Sequence, residues 1–217
     1  MATDAPSELT RARRTALLRG IYVVLNDGPT LIALASAVLD SGVRVVQYRA
    51  KNGIDASRLR ALREITLLRG ALLVMNDDWR AALAFACDGV HLGPGDEGFG
   101  NVAPLRAALP EGIVGLSCGT VEETRDAVAQ GVDYLGVGAV YATDSKADAG
   151  APIGITGLRE IARRTVLPVA AIGGITAQRV ADVRACGVAM AAVVSAVGDA
   201  PDPARASREL VALWGAL

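Results

Sequence analysis

The stretch VRVVQYRAKNGIDASRLRALREITLLRGALLVM, residues 43–75, contains one complete unit of the fold. Two runs rich in small branched apolar residues, Val43–Tyr48 and Ala71–Met75, predict buried strands. The amphipathic segment Ala56–Leu68 between them predicts a helix. Because strands joined through a helix lie parallel in one sheet, this stretch predicts a βαβ unit.

The same alternation recurs along the whole chain. Strands are predicted at Ile21–Leu25, Val43–Tyr48, Ala71–Met75, Gly89–Leu92, Ile113–Leu116, Tyr134–Val137, Val169–Ile172 and Ala189–Val194. Helices are predicted at Thr30–Leu39, Ala56–Leu68, Trp79–Ala86, Val102–Leu109, Val121–Ala129, Gly157–Arg164, Ala177–Ala185 and Pro203–Trp214. This pattern favours an α/β fold, a (β/α)8 TIM barrel, over an open doubly wound sheet, which usually has about six strands. We expect a single domain over residues 1–217, with a short leader helix near Glu8–Arg19.

The composition is that of a globular protein without a polyanion-binding surface. Apolar residues make up 52% of the 217 residues and the formal net charge is −1, so no nucleic-acid partner is expected. Cys87, Cys118 and Cys186 form no CxxC pair, and with a single histidine in the chain they predict reduced thiols rather than a zinc site. The segment MATDAPSELTRARR has no apolar core, and no apolar run approaches the ~20 residues of a membrane span. We therefore expect a cytoplasmic protein with small-molecule substrates and no membrane partner; whether it forms a homo-oligomer is left open.

The end of the second predicted strand carries polar and cationic side chains. Chemistry in a (β/α)8 barrel is located where strands end and the following loops begin, so these positions are the first candidates for a site. Gln47, Arg49 and Lys51 alternate along the chain and share one face of extended backbone. A solvated strand end is the alternative, but two cations beside a glutamine favour an anion site. An arginine fork with a lysine point charge suits a diphosphate.

Two carboxylates follow neighbouring strands. The third strand runs into Asn76, Asp77 and Asp78, and the fourth is followed by Asp96. A helix N-cap would account for one residue of this Asn-Asp-Asp run but not for three. Asp77 and Asp96 lie one βα unit apart and face the cations, so they are predicted to bind Mg2+ together with phosphate oxygens.

A second anion site is predicted after the seventh and eighth strands. Gly173 and Gly174 follow one strand, and Val194 and Ser195 end the other, which is the usual phosphate position of this fold. The segment Tyr141–Ile155 after the sixth strand is the longest irregular stretch and is expected to act as a lid. It carries a polar run whose hydroxyl and amine groups suit phosphate, namely Thr143, Asp144, Ser145 and Lys146.

Other polar residues near strand ends have less specific roles. The single histidine, His91, lies inside an apolar strand, where a structural role is favoured over that of a general base. Cys118 has no histidine partner, so nucleophilic catalysis is not expected. Ser117 is a candidate donor to a substrate, and Thr120 with Glu123 predicts a capping box for the next helix.

Six motifs occur in order at the predicted strand ends: QYRAK at 47–51, NDD at 76–78, DGVHLG at 88–93, GVGAVYATDSK at 136–146, AIGGI at 171–175 and VVSA at 193–196. Together they resemble the thiamine phosphate synthase family over nearly the whole chain, from about Ile21 to Ala196. The resemblance implies a Mg2+-dependent transferase that condenses hydroxymethylpyrimidine diphosphate with thiazole phosphate, or its carboxylate, to give thiamine phosphate and diphosphate. It also implies that diphosphate leaves first, and that the thiazole nitrogen then attacks a resonance-stabilised pyrimidine cation.

The resemblance also implies roles for individual residues. The pyrimidine diphosphate would be held by Gln47, Arg49, Lys51, Asn76 and Lys146, with Tyr48 and Ala50 in the same binding motif. Asp77 and Asp96 would bind Mg2+, and Ser117 would contact the pyrimidine. The thiazole phosphate would be held by Thr143, Asp144, Ser145, Gly174, Val194 and Ser195. The catalytic groups, acting by charge stabilisation and positioning without a nucleophile or a strong base, would be Arg49, Lys51, Lys146 and Ser117.

The sequence departs from the family pattern at four positions. Pro94 stands where glutamine is usual, Ala139 and Ala142 stand where prolines are usual, and Gly119 stands where a histidine is often found. These differences concern loop rigidity and pyrimidine contacts, and they leave the metal and phosphate groups intact. One alternative function is a thiazole tautomerase, which would need an acid–base residue that Gly119 does not supply. The other is a non-catalytic barrel that binds thiazole phosphate or thiamine phosphate, against which the retained carboxylates and cations argue.

Overall fold

The computed structural model describes residues 9–145 and 150–215. The strands are β1 (Gly20–Asn26), β2 (Val45–Arg49), β3 (Leu72–Asn76), β4 (Gly89–Leu92), β5 (Ile113–Cys118), β6 (Tyr134–Val137), β7 (Val169–Ile172) and β8 (Met190–Val193). The helices of the described residues are α1 (Arg11–Ala16), α2 (Leu31–Asp40), α3 (Ala56–Leu68), α4 (Trp79–Ala84), α5 (Ala103–Ala108), α6 (Val121–Ala129), α7 (Gly154–Ala162), α8 (Val180–Arg184), α9 (Ser195–Gly198) and α10 (Pro203–Gly215).

The eight strands are parallel and form a closed barrel in sequence order. The barrel closes between β1 and β8, where Gly20 pairs with Met190 and Val23 pairs with Val193. The predicted (β/α)8 fold is therefore confirmed. Each predicted strand is present, and its ends lie within two residues of the prediction.

The helices differ more from the prediction than the strands do. Helix α7 begins at Gly154, three residues before the predicted start, where the Gly154 N–H donates to the carbonyl of Val140 at 3.0 Å. Helix α8 begins three residues late, at Val180. Helix α4 ends at Ala84, and Ala86 beyond it has a φ of 50°, which is incompatible with continuation of the helix.

Two apolar layers hold the barrel together. The larger lies between the outer faces of the strands and the surrounding helices, and includes Val46, Leu73 and Val90. The smaller fills the barrel interior, with Val45, Leu72 and Met190 as members. Alternation along each strand sends neighbouring residues to opposite layers.

The amino-terminal end of the barrel is covered by α1 and the residues that follow it. Leu17 and Leu18 pack against the interior layer, and Arg14 donates to the fully buried carboxylate of Asp88 at 3.1 Å. Arg63 of α3 donates to the same carboxylate at 2.6 Å. The leader helix therefore closes one end of the barrel and leaves the opposite end for a site.

Among the described helices, none combines the length and the apolar character needed to cross a membrane.

Candidate active site

A cavity of about 450 Å3 opens at the carboxyl ends of the strands. Most of the residues predicted from strand ends line this cavity. They come both from the side formed by β2 to β4 and from the side formed by β6 to β8. The predicted site residues that line the cavity are Gln47, Arg49, Asn76, Asp77, Asp96, Ser117, Thr143, Ser145, Gly174, Val194 and Ser195. The two predicted anion sites therefore share one continuous cavity.

The structure does not bring four other predicted site residues, Tyr48, Ala50, Lys51 and Asp144, to the cavity wall. Tyr48 is fully buried on the outer face of β2, where its hydroxyl accepts from the Asp55 N–H at 3.2 Å, because alternation sends it away from Gln47. Ala50 lies at the end of β2, and Lys51 is exposed in the turn beyond it. Asp144 is exposed, and Lys146 lies outside the described residues.

Arg49 reaches from β2 toward the loop that follows β6. Its Nη1 donates to the carbonyl of Ser145 at 3.3 Å and to Oδ1 of Asn26 at 3.5 Å. A guanidinium on one side of the barrel thus contacts the loop from the other side. This contact places a fixed positive charge at the mouth of the cavity.

The three residues of the Asn-Asp-Asp run after β3 have two different roles, one at the cavity and one at the next helix. Asp78 is the N-cap of α4 and accepts from the Ala81 N–H at 2.9 Å, while Asn76 and Asp77 line the cavity. Asp77 has a φ of 66°, in the left-handed region that Asp tolerates better than most residues. This turn directs its side chain away from the helix cap.

Asp96 is held by the turn that follows β4. Its Oδ2 accepts from the Gly93 N–H at 2.6 Å, and its own N–H donates to the Gly93 carbonyl at 3.1 Å. One carboxylate oxygen is thereby fixed while the side chain remains at the cavity wall. Within residues 9–145 and 150–215, no three His, Cys, Asp or Glu side chains converge in a way that could hold a metal.

The glycine pair after β7 packs directly against the loop that follows β6. A Cβ on Gly174 would lie 2.6 Å from the carbonyl oxygen of Ala142 and 2.8 Å from Cβ of Tyr141, and Gly174 has a φ of 62°. A side chain here would displace the loop that carries Thr143 and Ser145. The requirement for glycine therefore comes first from loop packing.

The floor of the cavity is polar, and three of its side chains were not predicted as site residues. Tyr22 of β1, His91 of β4 and Tyr134 of β6 all line the cavity. His91 was expected to have a structural role and was not assigned to the site, because sequence alone does not fix the direction of its side chain. The structure directs it into the barrel, so the cavity contains an imidazole even though Gly119 cannot provide one.

Burial controls the protonation of the floor. It raises the pKa of Tyr22 and of Tyr134, so both phenols remain neutral. It also raises the pKa of Cys118 at the cavity wall to about 12. Cys118 therefore remains a thiol, in agreement with the prediction that it is not a nucleophile.

Two glycines inside strands are a sequence signal that could have indicated the ring side chains at the floor of the cavity. Gly115 and Gly136 lie within β5 and β6, where glycine is normally unfavourable. Gly115 faces the rings of His91 and Tyr134, and Gly136 faces the ring of His91. The predicted capping box of α6 is confirmed, and its Glu123 side chain also lies at the cavity wall.

Comparison with known proteins identifies the family of this chain. A family profile described as "Thiamine monophosphate synthase" matches residues 21–197. The chain is 44% identical over 200 residues to a thiamine-phosphate synthase of Herpetosiphon aurantiacus, covering 88% of this chain and 95% of that one. It is 42% identical over 200 residues to a thiamine-phosphate synthase of Moorella thermoacetica, covering 88% and 93%.

The fold of a solved structure is also closely similar. The thiamine phosphate pyrophosphorylase from Pyrococcus furiosus superposes with a TM-score of 0.83 at 33% sequence identity. The superposition covers 92% of this chain and 96% of that one.

Proposed function

This chain belongs to the thiamine monophosphate synthase family and is an enzyme of thiamine biosynthesis that forms thiamine phosphate by condensation; we propose that it does so in the cavity at the carboxyl ends of its strands, by a dissociative reaction assisted by Mg2+. The observation that supports this proposal is the charge layout of the cavity. A cation and two carboxylates lie on the arc from β2 to β4, and the glycine-rich loop lies on the arc from β6 to β8.

The diphosphate of the pyrimidine substrate is assigned to the first arc. Arg49 presents a guanidinium fork, which suits paired phosphate oxygens, and Asn76 adds an amide beside it. The Ser145 contact already holds Arg49 at the mouth of the cavity. Less of its side-chain freedom is therefore lost when an anion binds.

Asp77 and Asp96 fit a divalent cation of the Mg2+ type. Mg2+ is usually bound through one or two carboxylates, with phosphate oxygens and waters completing the shell. Two carboxylates at the cavity wall supply that number. When bound, Mg2+ supplies charge that stabilises the departing diphosphate.

The phosphate of the thiazole substrate is assigned to the second arc. Gly174, Val194 and Ser195 offer backbone amides and a hydroxyl at the ends of β7 and β8, the usual phosphate position of this fold. Thr143 and Ser145 approach from the loop after β6. The same loop contacts Arg49, so the two substrates meet between the arcs.

The chemistry proposed for the cavity needs no protein nucleophile. The bond between the pyrimidine methylene carbon and the diphosphate oxygen breaks, and the diphosphate leaves with the electron pair. The thiazole nitrogen then donates its lone pair to the methylene cation and forms the new carbon–nitrogen bond. The cavity contributes by fixing both substrates and by stabilising charge on the leaving group.

The decisive experiment is incubation of the purified chain with hydroxymethylpyrimidine diphosphate, thiazole phosphate and Mg2+. Thiamine phosphate and diphosphate should form in equal amounts, and EDTA should stop the reaction. Absence of product with both substrates present would overturn the proposal. An electron-withdrawing substituent on the pyrimidine should slow the reaction strongly, whereas an unchanged rate would indicate direct displacement.

The proposed location is the cytoplasm. Cys87, Cys118 and Cys186 are buried and free of disulfides, which suits a reducing compartment. Detection of the native protein in the cytosolic fraction of its source cells would test this.

A further inference from the structure

Five side chains from five different strands form a continuous hydrogen-bonded chain across the cavity floor. Nε2 of Gln47 lies 2.8 Å from the hydroxyl of Tyr22, which lies 3.2 Å from the hydroxyl of Tyr134. The Tyr134 hydroxyl lies 3.0 Å from Nδ1 of His91, and Nε2 of His91 lies 3.0 Å from Oγ of Ser117. The two ends of this hydrogen-bonded series, Gln47 and Ser117, are residues assigned to substrate binding.

The barrel leaves room for these hydrogen-bonded side chains by having glycine at two strand positions. A Cβ on Gly115 would lie 2.7 Å from Nδ1 of His91 and would collide with the Tyr134 ring. A Cβ on Gly136 would lie 2.6 Å from Cε1 of His91. Because a Cβ at either strand position would collide with a ring, glycine at both positions leaves the space that the two rings occupy.

The donors and acceptors give the chain one direction. An amide nitrogen can only donate, so Gln47 donates to the Tyr22 oxygen. Because Tyr22 is buried and its other hydroxyl contact is with Tyr134, we assign Tyr22 as the donor to Tyr134 and Tyr134 as the donor to Nδ1 of His91. An imidazole that accepts at Nδ1 carries its proton on Nε2, so His91 donates to the oxygen of Ser117. The hydrogen of the Ser117 hydroxyl is left to point into the cavity.

We infer that Tyr22, Tyr134 and His91 are positioning residues that act as a one-way hydrogen-bond relay and make Ser117 a donor toward the substrate. A donor at this point selects a ligand with an unprotonated ring nitrogen. That selection rests on the proposed function, in which the ligand is an aminopyrimidine. The direction of the relay itself depends only on the protein.

The single histidine of this chain allows a direct test of the direction. In tag-free 15N-labelled protein, a long-range proton–nitrogen correlation spectrum reports His91 alone. We expect a neutral ring with the proton on Nε2 at neutral pH. A proton on Nδ1, or a doubly protonated ring, would overturn the relay. Tyr134→Phe should remove the preference for Nε2, and Tyr22→Phe should weaken it, because Tyr134 then loses the donor that directs its own hydrogen to Nδ1.

A double-mutant cycle tests whether the relay acts through Ser117. Tyr134→Phe should lower kcat/KM for the pyrimidine diphosphate about tenfold, as expected for one weakened hydrogen bond, and should change KM for thiazole phosphate much less. In a Ser117→Ala background, Tyr134→Phe should have almost no further effect. Additive losses would show that Tyr134 acts independently of Ser117 and would contradict the inference.

The outcomes separate this inference from the proposed function. If the chain formed no thiamine phosphate, the proposed function would fail, and the His91 spectrum would still decide the direction of the relay. If the chain were active but the spectrum showed the proton on Nδ1, the relay would fail alone.

Discussion

The guanidinium of Arg179 lies 4.5 Å from the centre of the Tyr141 ring, which joins the start of α8 to the segment that follows β6. The same guanidinium donates from Nη1 to the carbonyl of Gly174 at 2.7 Å. Arg179 therefore ties together the two loops assigned to the thiazole phosphate. Its charge is exposed to solvent, so we expect Arg179 to act by holding the two loops in place more than by electrostatic attraction of the substrate.

Arg179→Ala should release these two loops and weaken binding of thiazole phosphate. An exposed cation–π contact contributes about 0.5–1 kcal/mol, so KM for thiazole phosphate should rise by about twofold to fivefold, with a smaller change for the pyrimidine diphosphate. Arg179→Lys should recover only part, because the ammonium lacks the planar fork. Arg184→Ala is the matched control, since Arg184 contacts the Trp214 ring instead of the Tyr141 ring. An equal effect of both substitutions would indicate a general loss of stability. Steady-state kinetics with each substrate varied in turn measures the two KM values for each variant.

Asp77 and its neighbour Asp78 should behave in opposite ways. Asp77→Asn keeps a side chain that tolerates a positive φ and removes the charge, so activity should fall about a hundredfold or more with the fold intact. Asp78→Ala removes the N-cap of α4 and should lower the free energy of unfolding by about 1 kcal/mol, with near-normal activity. Rates at several Mg2+ concentrations, together with urea titrations, measure both. If the Asp77 variant retained full activity in EDTA, the metal assignment would be wrong.

Lys146 directly follows Ser145, whose carbonyl oxygen contacts Arg49, and lies outside the described residues. An ammonium that meets the diphosphate mainly as it departs affects turnover more than binding. Lys146→Ala should therefore lower kcat by roughly a hundredfold, equivalent to about 3 kcal/mol, with a smaller change in KM. Lys146→Arg should restore only part of the rate. A rise in KM alone, at unchanged kcat, would make Lys146 an ordinary binding contact.

Asp88 should be important for stability and not for the reaction. Its carboxylate is fully buried between Arg14 and Arg63 and also accepts from the Leu73 N–H at 2.8 Å. Asp88→Ala removes the buried carboxylate that Arg14 and Arg63 share and should lower the free energy of unfolding by about 3–5 kcal/mol. Chemical denaturation measures this, and kcat at low temperature should be unchanged. A loss below 1 kcal/mol would show that the arginines find other partners at no cost.

Asp27 should make stability depend on acid pH. Hydrogen bonds from Arg58 lower the pKa of Asp27 in the folded protein. A lowered pKa means that the stabilisation is present above the unfolded pKa of about 3.9 and is lost as the pH falls through the folded value. Asp27→Asn should therefore show a shallower loss of stability than the parent chain as the pH falls below about 5. Asp40→Asn, whose ion pair with Arg69 is solvent-exposed, should change the profile less. Urea titrations across this pH range measure the slopes, and parallel curves for parent and Asp27→Asn would contradict the prediction.

Local sequence patterns account for the strands, for most of the helices and for the polar residues at the strand ends. Period-two apolar runs such as Val43–Tyr48 specify strands locally, and alternation already places Gln47 and Arg49 on the face opposite Tyr48. The Asn-Asp-Asp run could likewise be divided into one cap and two site residues, because a helix needs only one cap. Helix α9, of four residues, is too short to show a period, so it was not predicted.

The contacts of these side chains depend on how the sheet closes into a barrel. Tyr22 and Tyr134 are separated by 112 positions and meet because barrel closure brings β1 and β6 to face one another across the interior. His91 turns inward because two glycines on neighbouring strands leave space for its ring. Arg49 meets the carbonyl of Ser145 for the same reason of closure. Local periodicity fixes the face on which a residue lies, whereas register and closure of the sheet fix its partners.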